Sequence, residues 1–191
     1  MMDMVCICGG GSLGHVIAGY LSAKKGMKVN ILTRRPERWN RTIEVVTPEG
    51  EVLNGSLHTV SGNPEEALHG ASMVLLCLPG YAIREELIRI RSYVNVQTYV
   101  GSVFSSTGFF FEAMEVLSED VPLWGFQRVP FIARTKVYGS KARLLGYKNG
   151  HKIAVERSAE KENFRAMVEH LFDAPVQLLN NHYEASFTNS N

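Results

Sequence analysis

The sequence is poor in cysteine, in net charge and in long apolar runs. Its three cysteines, Cys6, Cys8 and Cys77, all lie in short apolar stretches. An odd count with no export signal excludes a disulfide-stapled secreted scaffold and reads as reduced, buried thiols in a cytoplasmic protein. Cys6 and Cys8 form a C-x-C pair, but no other Cys or His cluster completes a four-ligand set at a usual spacing, so no metal site is expected. Lys+Arg number 20 against 19 Asp+Glu, a net charge of +1. That balance excludes a chain built to coat nucleic acid or an anionic membrane. No run approaches the ~18–20 apolar residues of a membrane span. Met4 to Cys8, following Asp3, is too short for the core of a secretory signal. Internal repeats, low-complexity segments and long flexible linkers are also missing.

What is present is a globular composition: 191 residues, 45% of them hydrophobic, with 17 glycines. At ~100–200 residues per domain, this is one domain and at most part of a second. Such a chain can bury a core without staples. Met4 to Cys8 reads as a buried strand stopped by Gly9-Gly10-Gly11. Leu13, Val16, Ile17, Tyr20 and Leu21 trace one helix face. Lys24, Lys25 and Gly26 suit its end, and Lys28 to Leu32 reads as the next strand. This is a βαβ unit. Thr47-Pro48-Glu49-Gly50 marks the turn of a hairpin over Thr42 to Leu53, and His58 to Val60 is a short strand. Asn63-Pro64 starts a helix. Ser72 to Leu78 and Thr98 to Val103 read as strands, separated by the helix face Ile83, Leu87, Ile90 and Val94. A helix over Gly108 to Leu117 follows. Trp124 to Phe126, Lys136 to Tyr138 and Lys141 to Leu145 are short strands, the last two joined at Gly139-Ser140. Phe164, Met167, Val168 and Leu171 mark a final helix, ended by Pro175. Alternating strands and helices imply the α/β class with a mostly parallel sheet.

Gly9-Gly10-Gly11-Ser12-Leu13-Gly14 fits G-x-G-x-x-G. The pattern alone is weak, but here a buried strand precedes it and a helix and strand follow on schedule. Gly9 permits the tight turn, Gly11 lets a pyrophosphate approach the backbone, and Gly14 lets helix and strand pack closely. The helix start offers free N–H groups and its positive dipole end. A P-loop is excluded, because His15 and Val16 follow Gly14. The expected fold is therefore a Rossmann-type doubly wound, mostly parallel sheet with helices on both faces, plus a short helical C-terminal tail. No acid stands at the end of the second strand, where NAD sites hold the ribose 2′-hydroxyl. Thr33, Arg34 and Arg35 stand there instead, with Arg38 and Arg41 beyond. Arginine forks suit a 2′-phosphate, so NADP(H) is expected over NAD(H). Ligands of such sheets lie beyond the carboxyl ends of strands. That places Leu78, Pro79 and Ala82 toward the cofactor's ribose and phosphates, and Ser102 and Val103 toward its nicotinamide.

Cys6 to His15, Leu32-Thr33 with Glu37-Arg38-Trp39, and Gly70-Ala71 leading to Leu78-Pro79 together resemble the N-terminal domain of the octopine/nopaline (opine) dehydrogenases. Val100-Gly101 before Ser106-Thr107-Gly108-Phe109, and Phe126 through Pro130 to Arg134, extend the resemblance over about residues 4–155. It implies NAD(P)H-dependent reductive condensation of an amino acid with an α-keto acid. It also implies that the catalytic histidine and most amino-acid contacts belong to a helical C-terminal domain. Thr188-Asn189-Ser190-Asn191 fall about where the long helix into that domain is expected. On this reading residues 1–155 are the NAD(P)-binding domain and 156–191 a helical tail leading toward an absent catalytic domain, so that the chain alone binds cofactor without turnover. No catalytic residue is assigned. His15 is either a phosphate contact or a packing residue. Gln127, Arg128 and Arg134 are candidates to grip a substrate carboxylate. Ala133 stands where octopine dehydrogenase has a cysteine, which leaves the substrate pair open. Ketopantoate-reductase-like and glycerol-3-phosphate-dehydrogenase-like enzymes share this class of domain, but Phe104-Ser105-Ser106-Thr107-Gly108 lacks their Asn-Gly pair. A non-catalytic NADP(H)-sensing module is the third reading. Leu171, Phe172, Val176, Leu178 and Leu179 either pack back on the core or face a missing domain or a second chain, which leaves a homo-oligomer open.

Overall fold

The computed structural model describes residues 4–187. In chain order its elements are β1 (Met4–Cys8), α1 (Ser12–Ser22), β2 (Lys28–Leu32), β3 (Thr42–Val46), β4 (Val52–Ser56), β5 (Thr59–Ser61), α2 (Pro64–Leu68), β6 (Met73–Leu76) and α3 (Gly80–Ile90). There follow β7 (Tyr99–Ser102), α4 (Phe109–Val116), β8 (Leu123–Phe126), β9 (Phe131–Val137), β10 (Lys141–Tyr147), β11 (His151–Glu156), α5 (Lys161–Phe172), β12 (Val176–Leu178) and α6 (His182–Ser186). Two units emerge: the chain through Cys77 with Phe131–Tyr147, and Leu78–Pro130 with the segment from Lys148.

In the first unit β5, β2, β1 and β6 lie side by side, all parallel. β6 is buried throughout, and so is β1 from Val5 to Cys8. This is the burial that a continuous apolar run signals in a parallel sheet covered on both faces. The expected cap at Asn63 forms, its side chain accepting from the Glu65 amide. A second sheet, ordered β4-β3-β10-β9, adds to the single sheet read from the sequence. β3 and β4 form the expected hairpin, and its turn closes through Thr47 N–H to the Glu51 carbonyl at 2.9 Å. β10 then pairs parallel with β3 and antiparallel with β9. α1 lies against this sheet as well, which is why Gly14 to Gly19 are all buried rather than one stripe. Gly19 admits Val45, since a Cβ there would overlap the valine methyl.

In the second unit β7 and β8 are parallel, β8 and β11 antiparallel, and β11 and β12 parallel. Its core is aromatic: Trp124 packs on Phe126 and Phe164, with ring centroids 5.2 Å away in both cases. Gly101 makes room for that indole. Two strands were not expected, β11 and β12. The second falls inside the stretch expected to be helical. Val176 is buried and Gln177 exposed, a short alternation that suits a strand pairing with β11. Leu171, Phe172 and Val176 are buried in this unit. Thr188 to Asn191, where a long helix was expected to begin, lie outside the described residues. No helix among the described residues is long and apolar enough to cross a membrane.

Candidate cofactor-binding site

The glycine loop lies wholly in the first unit. Gly9 takes φ +115°, a conformation reserved for glycine, and its amide donates to the Leu32 carbonyl at 3.1 Å. The turn therefore starts where β1 leaves its neighbour. Gly14 sits against that turn: a Cβ there would overlap the Gly9 carbonyl oxygen and lie 3.6 Å from the Cys77 Cβ. Burial pushes the Cys77 thiol pKa up, so it stays protonated. Gly11 is exposed and caps α1 with no side-chain hydrogen bond, and the first turn carries no acid. A Cβ on Gly11 would meet nothing within 4 Å. Uncapped amides beside open space are what a diphosphate requires, so the loop fits a dinucleotide. Leu13 is half-buried in the same turn.

Two residues of the motif are held from a distance. The Ser12 hydroxyl lies 3.2 Å from the Thr135 hydroxyl and accepts from the Thr135 amide at 3.0 Å. His15 is fully buried. Its Nδ1 lies 2.9 Å from the Gly11 carbonyl, and its Nε2 accepts from the Gly139 amide at 2.7 Å. Because Nε2 accepts, Nδ1 carries the proton, and the ring is neutral. Desolvation lowers its pKa, and the Gly11 hydrogen bond opposes that in part. The ring stacks on Trp39 at 4.2 Å and meets Tyr138 edge-on at 5.0 Å. Gly10 packs on the Tyr138 hydroxyl. Of the two roles read for His15, packing is the one these contacts display. Thr135, Tyr138 and Gly139 were not foreseen as parts of the loop's surroundings; only the turn at Gly139, with φ +76°, was legible.

The arginine cluster divides. Arg38 lies 4.6 Å over the Tyr138 ring, and Arg41 donates to the His58 carbonyl at 2.6 Å. Arg34 and Arg35 are exposed directly after β2. Thr33 is buried, its hydroxyl accepting from the Arg35 amide at 3.3 Å, which shapes the turn that presents both arginines.

In the second unit, Pro79 caps α3, and the Ala82 amide donates to the Pro79 carbonyl at 2.9 Å. Leu78 is half-buried. Ser102 and Val103 are buried, and the Ser102 hydroxyl bonds to both the Phe104 carbonyl and amide. Its side chain is thus occupied locally. Gln127 donates to the Glu184 carbonyl at 3.0 Å. Gln127 and Arg128 line a hollow of about 390 Å³ with Lys148, Gly150, His151 and Lys152. Arg134 belongs to the other unit, exposed on β9 opposite Arg143. His182 bonds Glu156 at 3.0 Å. No group of three or more His, Cys, Asp or Glu suited to a metal occurs among the described residues.

The family described as ketopantoate reductase PanE/ApbA matches residues 5–104. An uncharacterized protein of Sinorhizobium fredii is 32% identical over 98% of this chain and 53% of its own length. The octopine dehydrogenase of Pecten maximus is 27% identical over 78% of this chain and 41% of its own. The chain thus spans about half the length of these relatives. Among solved structures, octopine dehydrogenase with NADH and L-arginine superposes with a TM-score of 0.88 at 23% identity, over 96% of this chain and 50% of that one. NADP+-bound yersinopine dehydrogenase superposes with a TM-score of 0.73 at 14% identity, over 97% and 49%. The fold is the one shared by these dehydrogenases.

Proposed function

Since the chain belongs to the ketopantoate reductase PanE/ApbA family, we propose that its glycine loop holds the dinucleotide of an opine-type oxidoreductase. The chain is an opine-dehydrogenase-like NAD(P)-binding domain. The observation that carries the site is the uncapped start of α1 beside the open face of Gly11. There the backbone of Gly9, Gly10 and Gly11 and the amides of Ser12, Leu13 and Gly14 take the pyrophosphate. Thr33 orders the turn, and Arg34 and Arg35 take a 2′-phosphate, so NADP(H) is preferred over NAD(H). Gln127 and Arg128, which share one hollow of the second unit, are the candidates for a substrate carboxylate.

The reaction that goes with this reading is reductive condensation of an amino acid with an α-keto acid in the cytoplasm, to which the buried thiols are suited. A bound nicotinamide supplies the hydride. This chain's own residues neutralise and orient the diphosphate at a helix start, which fixes the geometry that transfer demands. On this reading residues 1–155 bind cofactor, and 156–191 lead toward a catalytic part.

Titrating the protein with NADPH and NADH, as wild type and as Arg34→Ala, tests the preference. NADPH is expected to bind about tenfold tighter, and Arg34→Ala to remove that advantage while leaving NADH unchanged. Equal wild-type affinities would refute it.

A further inference from the structure

The β9–β10 hairpin reaches the glycine loop at three places. Thr135 holds Ser12, Tyr138 packs on Gly10, and Gly139 donates to His15. His15 is the central link, because its two ring nitrogens join the hairpin and the loop. The Gly11 carbonyl accepts from the His15 backbone amide at 3.0 Å and lies 2.9 Å from its ring. The residue whose openness the cofactor needs is therefore held twice by one residue, through its backbone amide and its ring.

We propose that His15 is a positioning residue for the cofactor loop: as the neutral Nδ1–H tautomer it ties Gly11 to Gly139 and sets dinucleotide affinity. The proposal rests on the glycine loop being the cofactor site. A protonated ring has a proton on Nε2 facing the Gly139 amide, so two donors oppose each other and the link to the hairpin is lost. A buried amide left without its acceptor costs about 1–3 kcal/mol, or roughly 5- to 150-fold in an equilibrium. Facing His15 are Trp39, Tyr138 and, over the Tyr138 ring, the Arg38 guanidinium. The hairpin's charged side chains nearest the turn, Lys136 and Lys141, are exposed, and Lys141 pairs with Glu44. On α1 the titratable neighbour Tyr20 faces Phe131. Histidine is the residue type whose ordinary charge change falls between pH 5 and 8, and His15 is the histidine of this set.

The test uses the 191-residue chain and NAD+, which carries no 2′-phosphate to titrate. Calorimetric Kd values at pH 7.5 and 5.5 are compared for wild type, His15→Gln and His15→Phe, with melting curves in the same buffers. Wild type is expected to bind more weakly at pH 5.5, by less than about tenfold because burial holds the imidazole pKa below its ordinary value. His15→Phe keeps the ring stack without the hydrogen bonds, and should bind about tenfold more weakly at pH 7.5 with no further loss on acidification. His15→Gln keeps an acceptor for Gly139 and should fall between the two at pH 7.5. Histidine ¹⁵N spectra of wild type should show the Nδ1–H tautomer and a titration that tracks Kd, a readout that stands even if a variant fails to fold. A wild type that binds neither NAD+ nor NADP+ at pH 7.5 overturns the cofactor reading and this proposal with it. A Kd that does not follow the titration of the His15 ring in the ¹⁵N spectra, an Nε2–H tautomer, or a His15→Phe that binds like wild type overturns the His15 assignment alone.

Discussion

Two alanines, three residues apart, should separate the fold's need for glycine from the ligand's. At Gly14 a Cβ would stand well under 3.0 Å from the Gly9 carbonyl oxygen, a backbone atom that cannot swing away. Helix and turn must part by a sizeable fraction of an ångström, an overpacking cost of about 1–3 kcal/mol. Alanine's better helix propensity returns about 1 kcal/mol. The net is about 0–2 kcal/mol of destabilisation, or up to roughly 8 °C in Tm for a chain of this size. The displaced Gly9 turn carries the loop with it, so dinucleotide affinity should fall at least about tenfold. At Gly11 the backbone has φ −80° and ψ 179°, which any residue adopts, and a Cβ meets nothing within 4 Å. Gly11→Ala should lose only a few tenths to about 1 kcal/mol as a poorer N-cap. It should nonetheless weaken the dinucleotide about tenfold or more, because the methyl occupies the space through which phosphate reaches the amides. Differential scanning fluorimetry gives the first quantity and titration calorimetry the second. Tight binding by Gly11→Ala would place the diphosphate elsewhere, and wild-type melting and binding by Gly14→Ala would show that the close approach is dispensable.

Other outcomes are fixed by burial and charge. Gly101→Ala drives a methyl into the Trp124 indole, itself fully buried, and should cost about 1–3 kcal/mol in a denaturant titration; an unchanged midpoint refutes the packing. Burial lowers the imidazole pKa of His15 and of His151, where Lys148 adds to the effect. The unfolded chain therefore binds more protons below the ordinary value of about 6.5, and stability rises with pH there. Tm should fall as pH drops from 7.5 to 5.0, levelling once both rings are charged in the folded state, and His151→Leu should flatten part of the slope; a Tm that rises on acidification contradicts this. Arg157 donates to the Ser118 carbonyl at 3.0 Å and the Met114 carbonyl at 3.2 Å, closing the end of α4. Arg157→Ala should lose about 1–2 kcal/mol by thermal melt, and an unaltered melt means those carbonyls find water equally well.

The features legible in the sequence were the short-range ones. The strand–glycine–helix–strand unit, the Asn63 cap and the Thr47–Gly50 turn are each written in a handful of adjacent residues whose spacing or backbone demand is local. The second sheet was not legible, because the parallel pairing of β3 with β10 joins Glu44 to Lys141, and periodicity says nothing about partners that far apart. β12 is three residues long, too short for an alternation to stand out from the end of a helix. His15 could be read as ligand contact or packing, and its ring partner at Gly139 decides between them. The bonds of the Ser102 hydroxyl to the Phe104 carbonyl and amide are local ones that a strand pattern does not encode.

The hairpin also fixes an order of events. The whole glycine motif leaves the ribosome long before Gly139, which lies 124 residues beyond His15. Until that turn is made, His15 and the Gly10 surface have nothing to close against. The entropy of closing so long a loop is recovered only when the intervening chain has folded. A fragment ending at Pro130 would contain every residue of G-x-G-x-x-G and still lack the contacts that hold it, so the motif and the capacity to bind are separable in time, as they are in sequence.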